Sequence, residues 1–230
     1  MKHIASVILL LAPLQLLGQD FDYLPRQVAG QQQIVYTQFT ISYNEQHEQA
    51  SWVDYQLTDE EAQMQEDRCG SFSSDERVNT ASATDKDHRS SGFNRGHLSP
   101  AADNNMSEEA NCESFLLSNM SPMISRFNSS IWADLEEWVS QKVVEFDSIY
   151  VVTGLVFVNP LGSIGQNEVT VPAYFYKILL HHEEGSPKTI AFLLPQLDAV
   201  ESLTGLDFFP ALDNSQENRV EAQTGRASWG

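Results

Sequence analysis

Only one stretch of this chain sustains a helical stripe, and that limits the architecture. Asn128, Ser129 and Ser130 offer capping chemistry, and Trp132, Leu135, Val139 and Val143 then recur at helical spacing to about Phe146. Most other apolar segments read as strands. Ile34 to Tyr43 alternates and is rich in β-branched and aromatic residues; Trp52 to Leu57 reads the same way and can pair with it. Phe115 to Asn119 is a short apolar run ended by Ser121-Pro122, and Ser148 to Val158, Val169 to Leu180 and Thr189 to Leu194 are strongly β-forming. Leu197 to Leu203 suggests a short helix stopped by Gly205. Strands that are sequence neighbours pair antiparallel most readily, so the expected fold is α+β, a mixed antiparallel sheet with helices.

At 230 residues one core suffices, and residues 20–230 are read as a single domain with a polar tail from about 213. Residues 1–19 stand apart. Lys2 and His3 precede an apolar run from Ile4 to Leu17, followed by Gly18, the layout of a secretory signal peptide cleaved near Gly18-Gln19. The run is short for a membrane span and no other segment is apolar enough. The mature chain is therefore expected to be secreted, extracellular or periplasmic, with no membrane span. Its two cysteines, Cys69 and Cys112, can be a single bridge or two buried thiols.

Charge sets a puzzle. Lys and Arg number 13 against 32 Asp and Glu, a formal net charge of −19. Proteins that hold nucleic acid are usually basic, because they replace counterions on phosphates. The stretch from Arg68 to His97 is the exception, with five basic residues against four acidic ones. A locally basic cleft fits this chain; long-range steering of a polyanion does not.

Residues 65–93 are dominated by Ser, Asp, Asn, Thr and Gly and read as a long loop region, the kind that carries function. It leads into Gly92-Phe93-Asn94-Arg95-Gly96-His97-Leu98-Ser99-Pro100. Gly92 and Gly96 let the backbone bend and approach a ligand. A histidine held between such segments is suited to general-base chemistry. Asn128 has a bland reading as a helix N-cap and a sharper one as a hard oxygen ligand for Mg²⁺. Glu136 lies two turns on and can share its face. Elsewhere, His88 is read as a solvated loop residue. The adjacent His181 and His182 point to opposite faces of a strand. Asp103-Asn104-Asn105 lacks the glycine of a calcium loop. Asn105, Asn119 and Asn128 each open an Asn-x-Ser sequon, and Asn128 is expected to be unmodified.

The run Asn94-Arg95-Gly96-His97-Leu98-Ser99-Pro100-Ala101-Ala102 resembles the signature of the DNA/RNA non-specific endonucleases. These are a branch of the ββα-metal (His-Me finger) nucleases that includes mitochondrial endonuclease G. The family's usual motif is Asp-Arg-Gly-His; here Asn94 replaces the Asp. Ser118-Asn119-Met120-Ser121-Pro122 resembles its Asn-x-x-Pro segment. The run from Asn128 to Glu136 resembles its Asn-x-x-x-Trp-x-x-Leu-Glu helix. Arg68, four residues before Phe72, matches its phosphate-binding Arg. Val151 to Gly154, Val171 to Lys177 and Leu203 to Phe208 resemble later segments, so the likeness covers roughly residues 35–210.

The resemblance implies a ββα-metal core and a secreted, Mg²⁺- or Mn²⁺-dependent endonuclease cutting DNA and RNA without sequence preference. His97 would be the general base and Asn128 the metal ligand. Arg68 would clamp the phosphate, and Glu136 would orient water in the metal's outer shell. Asn119 would hold the histidine or the phosphate, and Arg95 would be structural or a second phosphate contact. Asn94, uncharged, is not expected to ligate the metal. These groups act on phosphate, metal or water and read no base edge. Two other readings use the same residues: an inactive nuclease-fold protein that binds nucleic acid or a partner, and a phosphodiesterase for small substrates.

Overall fold

The computed structural model describes residues 23–182 and 187–196; the expected signal peptide, the expected helix at 197–203 and the polar tail lie outside them. Among the described residues ten strands run in chain order: β1 (Gln32–Val35), β2 (Thr40–Asn44), β3 (Gln49–Thr58), β4 (Asn94–His97), β5 (Met120–Met123), β6 (Ser148–Val156), β7 (Gly162–Ile164), β8 (Val169–Val171), β9 (Tyr174–His181) and β10 (Lys188–Pro195). The helices are α1 (Asp59–Ala62), α2 (Asp85–His88), α3 (Glu108–Ser114), α4 (Ser125–Phe127) and α5 (Ala133–Phe146). A π-helical turn, Asn128–Trp132, joins the last two. An antiparallel six-stranded sheet has the order β1-β2-β3-β6-β9-β10. The pairs β4-β5 and β7-β8 stand outside it.

The sheet's inner face and the helical stripe make one core. Leu135, Val139 and Val143 of α5 are buried against Leu57, Ile149, Val151 and Leu179. Each such side chain contributes about 1.5–3 kcal/mol when fully buried. A second cluster (Ala83, Leu117, Met120, Ile164, Val169 and Val171) lies under the long loop and the small strand pairs.

Four expectations shift. Ile34 to Tyr43 is two strands, because the chain reverses through Tyr36 to Phe39, where Tyr36 N–H donates to the Phe39 carbonyl at 2.8 Å. Both aromatic rings are buried and stacked, so the alternation continues through the turn and conceals it. Val169 to Leu180 breaks at Pro172, which has no N–H for the ladder. Phe115 to Asn119 is the end of α3 and a 3₁₀ turn; the strand begins at Met120. The helical stretch begins at Ser125, so Asn128 lies inside it and is not its N-cap.

Candidate active site

Strand β4, strand β5 and the α4–α5 stretch follow one another as a ββα unit. His97 ends β4 opposite Met120, and Asn94 opens it opposite Met123. At Gly96 a Cβ would lie 2.1 Å from the Met123 sulfur, so any side chain there would have to displace the buried Met123 side chain. Asn94 Nδ2 donates to Ser125 Oγ at 3.4 Å, tying the motif strand to the start of the helix.

The His97 ring meets Phe115 edge-on at 5.1 Å and Phe72 at 6.1 Å. Its Nε2 is buried with no hydrogen-bond partner among the described residues. Burial, and then the positive charge of Arg68, lower its pKa to about 4, so the ring is a neutral base at ordinary pH. Arg68 is exposed, with Cζ 4.6 Å over the Phe115 ring. Its neighbour Cys69 is bonded to Cys112 of α3, which settles the two readings of the cysteines in favour of a bridge.

Trp132 is the hub. It lies one turn after Asn128 and one before Glu136. Its indole N–H donates to the His97 carbonyl at 3.3 Å and also favours the charged Glu136 carboxyl. Glu136 Oε1 is buried without a hydrogen-bond partner among the described residues. Burial pushes the Glu136 carboxyl up, against the pull of Lys177. Asn128 sits half-buried; its N–H donates to the Ile124 carbonyl at 2.9 Å, and its side chain makes no hydrogen bond among the described residues. Among those residues no three of His, Cys, Asp and Glu converge as a metal cage. The unbonded Asn128 amide and the orphaned Glu136 oxygen are hard donors that fit a cation keeping most of its waters.

A sequence model of the DNA/RNA non-specific endonucleases matches residues 18–215. The chain belongs to that family. A nuclease of Syncephalastrum racemosum is 34% identical over 220 residues, covering 77% of this chain and 67% of that protein. The mitochondrial nuclease EXOG of Xenopus laevis is 34% identical over 163 residues; the match takes in 59% of this chain but spans 46% of that longer relative. The crystal structure of an EndoG/EndoGI complex superimposes with a TM-score of 0.67 at 25% identity, covering 80% of this chain and 88% of that one.

Within this endonuclease fold, other residues depart from the expectations. Asn119 makes no hydrogen bond to the His97 ring among the described residues and is closed to solvent. Fully buried, it accepts from Ser99 N–H at 2.9 Å and donates to the Ser99 and Ser114 carbonyls at 2.9 and 2.8 Å. It fixes the backbone that follows His97, and its burial closes its sequon to modification in the folded chain. Arg95 is paired with the Asp85 carboxylate and lies over Phe72 at 4.9 Å. His88 is buried at 2% exposure, not solvated, and neither ring nitrogen has a partner.

Lys177 had no assigned role in the sequence. It is fully buried, donates to Thr153 Oγ1 at 2.7 Å, lies 4.9 Å from the Trp132 ring centroid and faces Glu136 electrostatically. Asp103, buried on the same network, accepts from the Tyr55 hydroxyl at 2.7 Å. A lone cation inside the apolar strand β9 was the available signal for this network.

Proposed function

We propose that this chain is a secreted, metal-dependent endonuclease that hydrolyses phosphodiester bonds of DNA and RNA without reading their sequence. The carrying observation is His97: a neutral ring with an orphaned nitrogen, joined through Trp132 to the residues flanking it on the helix. His97 accepts the proton of the attacking water as its oxygen bonds to phosphorus and the bond to the 3′-oxygen breaks. Arg68, over Phe115, donates to the non-bridging oxygens where charge grows. Asn128 would hold the ion, Mg²⁺ or Mn²⁺, and Glu136, held near its protonation point by burial and Lys177, orients water beside it. The ion, when bound, supplies Lewis-acid stabilisation of the leaving oxygen. Phosphate, water and metal carry every contact, which supports the lack of base preference.

Secretion is supported by the apolar run after Lys2-His3 and by the disulfide, which suits an oxidising compartment. Sequencing the N-terminus of exported protein tests it; a first residue at Met1 would sink it. For the activity, plasmid DNA and RNA are incubated with Mg²⁺ or Mn²⁺. Both are degraded by wild type, and EDTA stops the reaction. His97→Ala lowers the rate by about 10²–10⁴-fold. Folded protein that leaves both substrates intact in either metal is a silent binder, and the proposal fails.

A further inference from the structure

The Arg68 loop has little to hold it. Residues 63–72 belong to no helix or strand, and most of them are exposed. Among the described residues, the ties nearest to Arg68 are both at Cys69. Its sulfur is bonded to Cys112, and its N–H donates to Asn111 Oδ1 at 3.0 Å. Both ties land on α3, which is itself well seated: Asn111 is buried and donates to the Ala101 carbonyl at 3.1 Å. The same helix runs directly into Phe115, the ring that lies under the Arg68 guanidinium and against His97. Guanidinium, Phe115, α3, Cys112 and Cys69 thus form a closed circuit, cross-linked by the disulfide and closed by the non-covalent contact of guanidinium with ring.

We propose that the Cys69–Cys112 disulfide is a positioning element for the phosphate clamp: it keeps Arg68 over Phe115 beside His97, and its reduction releases Arg68 without dismantling the fold. Without the bridge, the hydrogen bond nearest to Arg68 among the described residues is the one from Cys69 to Asn111, and the next tie is the Phe72 ring four residues on, packed against Phe115. The rest of the unit does not use the disulfide. Strands β4 and β5 pair through their own ladder, and Ser73 is separately tied to the stretch after α3, its N–H donating to the Phe115 carbonyl at 3.3 Å. Reduction is balanced with a dithiol. Its thiolate attacks one sulfur, its second thiol resolves the mixed disulfide, and Cys69 and Cys112 leave as thiols, having gained two electrons and two protons while the reductant closes its own disulfide.

The inference rests on the nuclease reading through Arg68, and the experiment separates the two. Plasmid cleavage in Mg²⁺ is measured for wild type and Arg68→Ala, each oxidised and after dithiol reduction, together with hydrogen exchange. Reduction is expected to slow wild type by on the order of 10²-fold, the loss typical of one removed transition-state donor. That brings it to the level of oxidised Arg68→Ala, and Arg68→Ala itself is unchanged by reduction. Exchange speeds up in residues 64–72 and stays constant in β3 and β6. Full activity of reduced wild type overturns the proposal. So does a further loss in reduced Arg68→Ala, which would mean that the bridge supports the whole fold. If oxidised wild type cleaves nothing, the nuclease reading falls; exchange then decides the tether alone, and unchanged exchange in 64–72 overturns that too.

Discussion

At the scale of single residues, His97 and Arg68 are coupled by charge as well as by their shared contact with Phe115. Burial and the guanidinium keep the imidazole neutral down to a pH of about 4. The base is therefore competent above that point and lost as pH falls through it. Removing the cation makes protonation easier, so Arg68→Ala should shift the acid limb of the rate profile upward, toward the ordinary histidine value of 6.5, besides slowing the reaction. An acid limb that stays in place on cleavage–pH curves would show that the two do not communicate. Asn119 offers a stability test. Asn119→Ala strands the Ser99 N–H and the Ser99 and Ser114 carbonyls in the interior. The expected loss is about 3 kcal/mol, read as a fall in Tm of roughly 6–12 °C by calorimetry. Of these residues, His97 was legible from its glycine-bounded motif, because local backbone demands show in local sequence. The Asn119 clamp, the burial of His88 and the Lys177–Glu136 pairing were not, since each depends on which distant backbone comes to lie alongside.

Elements show the same division. Period-two and helical patterns located β6, β10 and α5, whose one buried face is written into their sequence, and also β3, which is buried on both faces from Trp52 to Tyr55. They failed where burial continues through a change of direction: at Tyr36–Phe39, at Pro172, and in the apolar run that ends α3. They also missed the π-helical turn, which carries no hydrophobic signature. That turn holds one residue more than an α-helical turn would, which sets the angle of Asn128 around the axis relative to Trp132 and Glu136. Deleting the exposed Ser129 should let the turn relax to α geometry, rotating Asn128 by about 100° while α5 keeps its seat on the sheet. Circular dichroism should then report a folded protein, with cleavage reduced to the level of Asn128→Ala. A deletion variant with wild-type activity would show that the phase of this turn does not matter.

For the molecule as a whole, the comparison with the EndoG structure establishes that a single α+β architecture, a six-stranded sheet with the ββα unit beside it, extends over most of the chain. The chain carries a formal net charge of −19 around a site whose cations are few and partly spent. Arg95 is paired with Asp85 and Arg77 with Glu113, which leaves Arg68 among the cations placed to meet phosphate. Binding should therefore release few counterions, with a slope of log affinity against log salt of about −2 in filter-binding or anisotropy titrations. A slope several times steeper would reveal a basic track that this arrangement lacks. With so weak an electrostatic hold, the enzyme has little to keep it on a strand after each cut. Cleavage should be distributive, every scission a fresh encounter, with nicked circles accumulating across the whole plasmid population before any molecule is reduced to fragments.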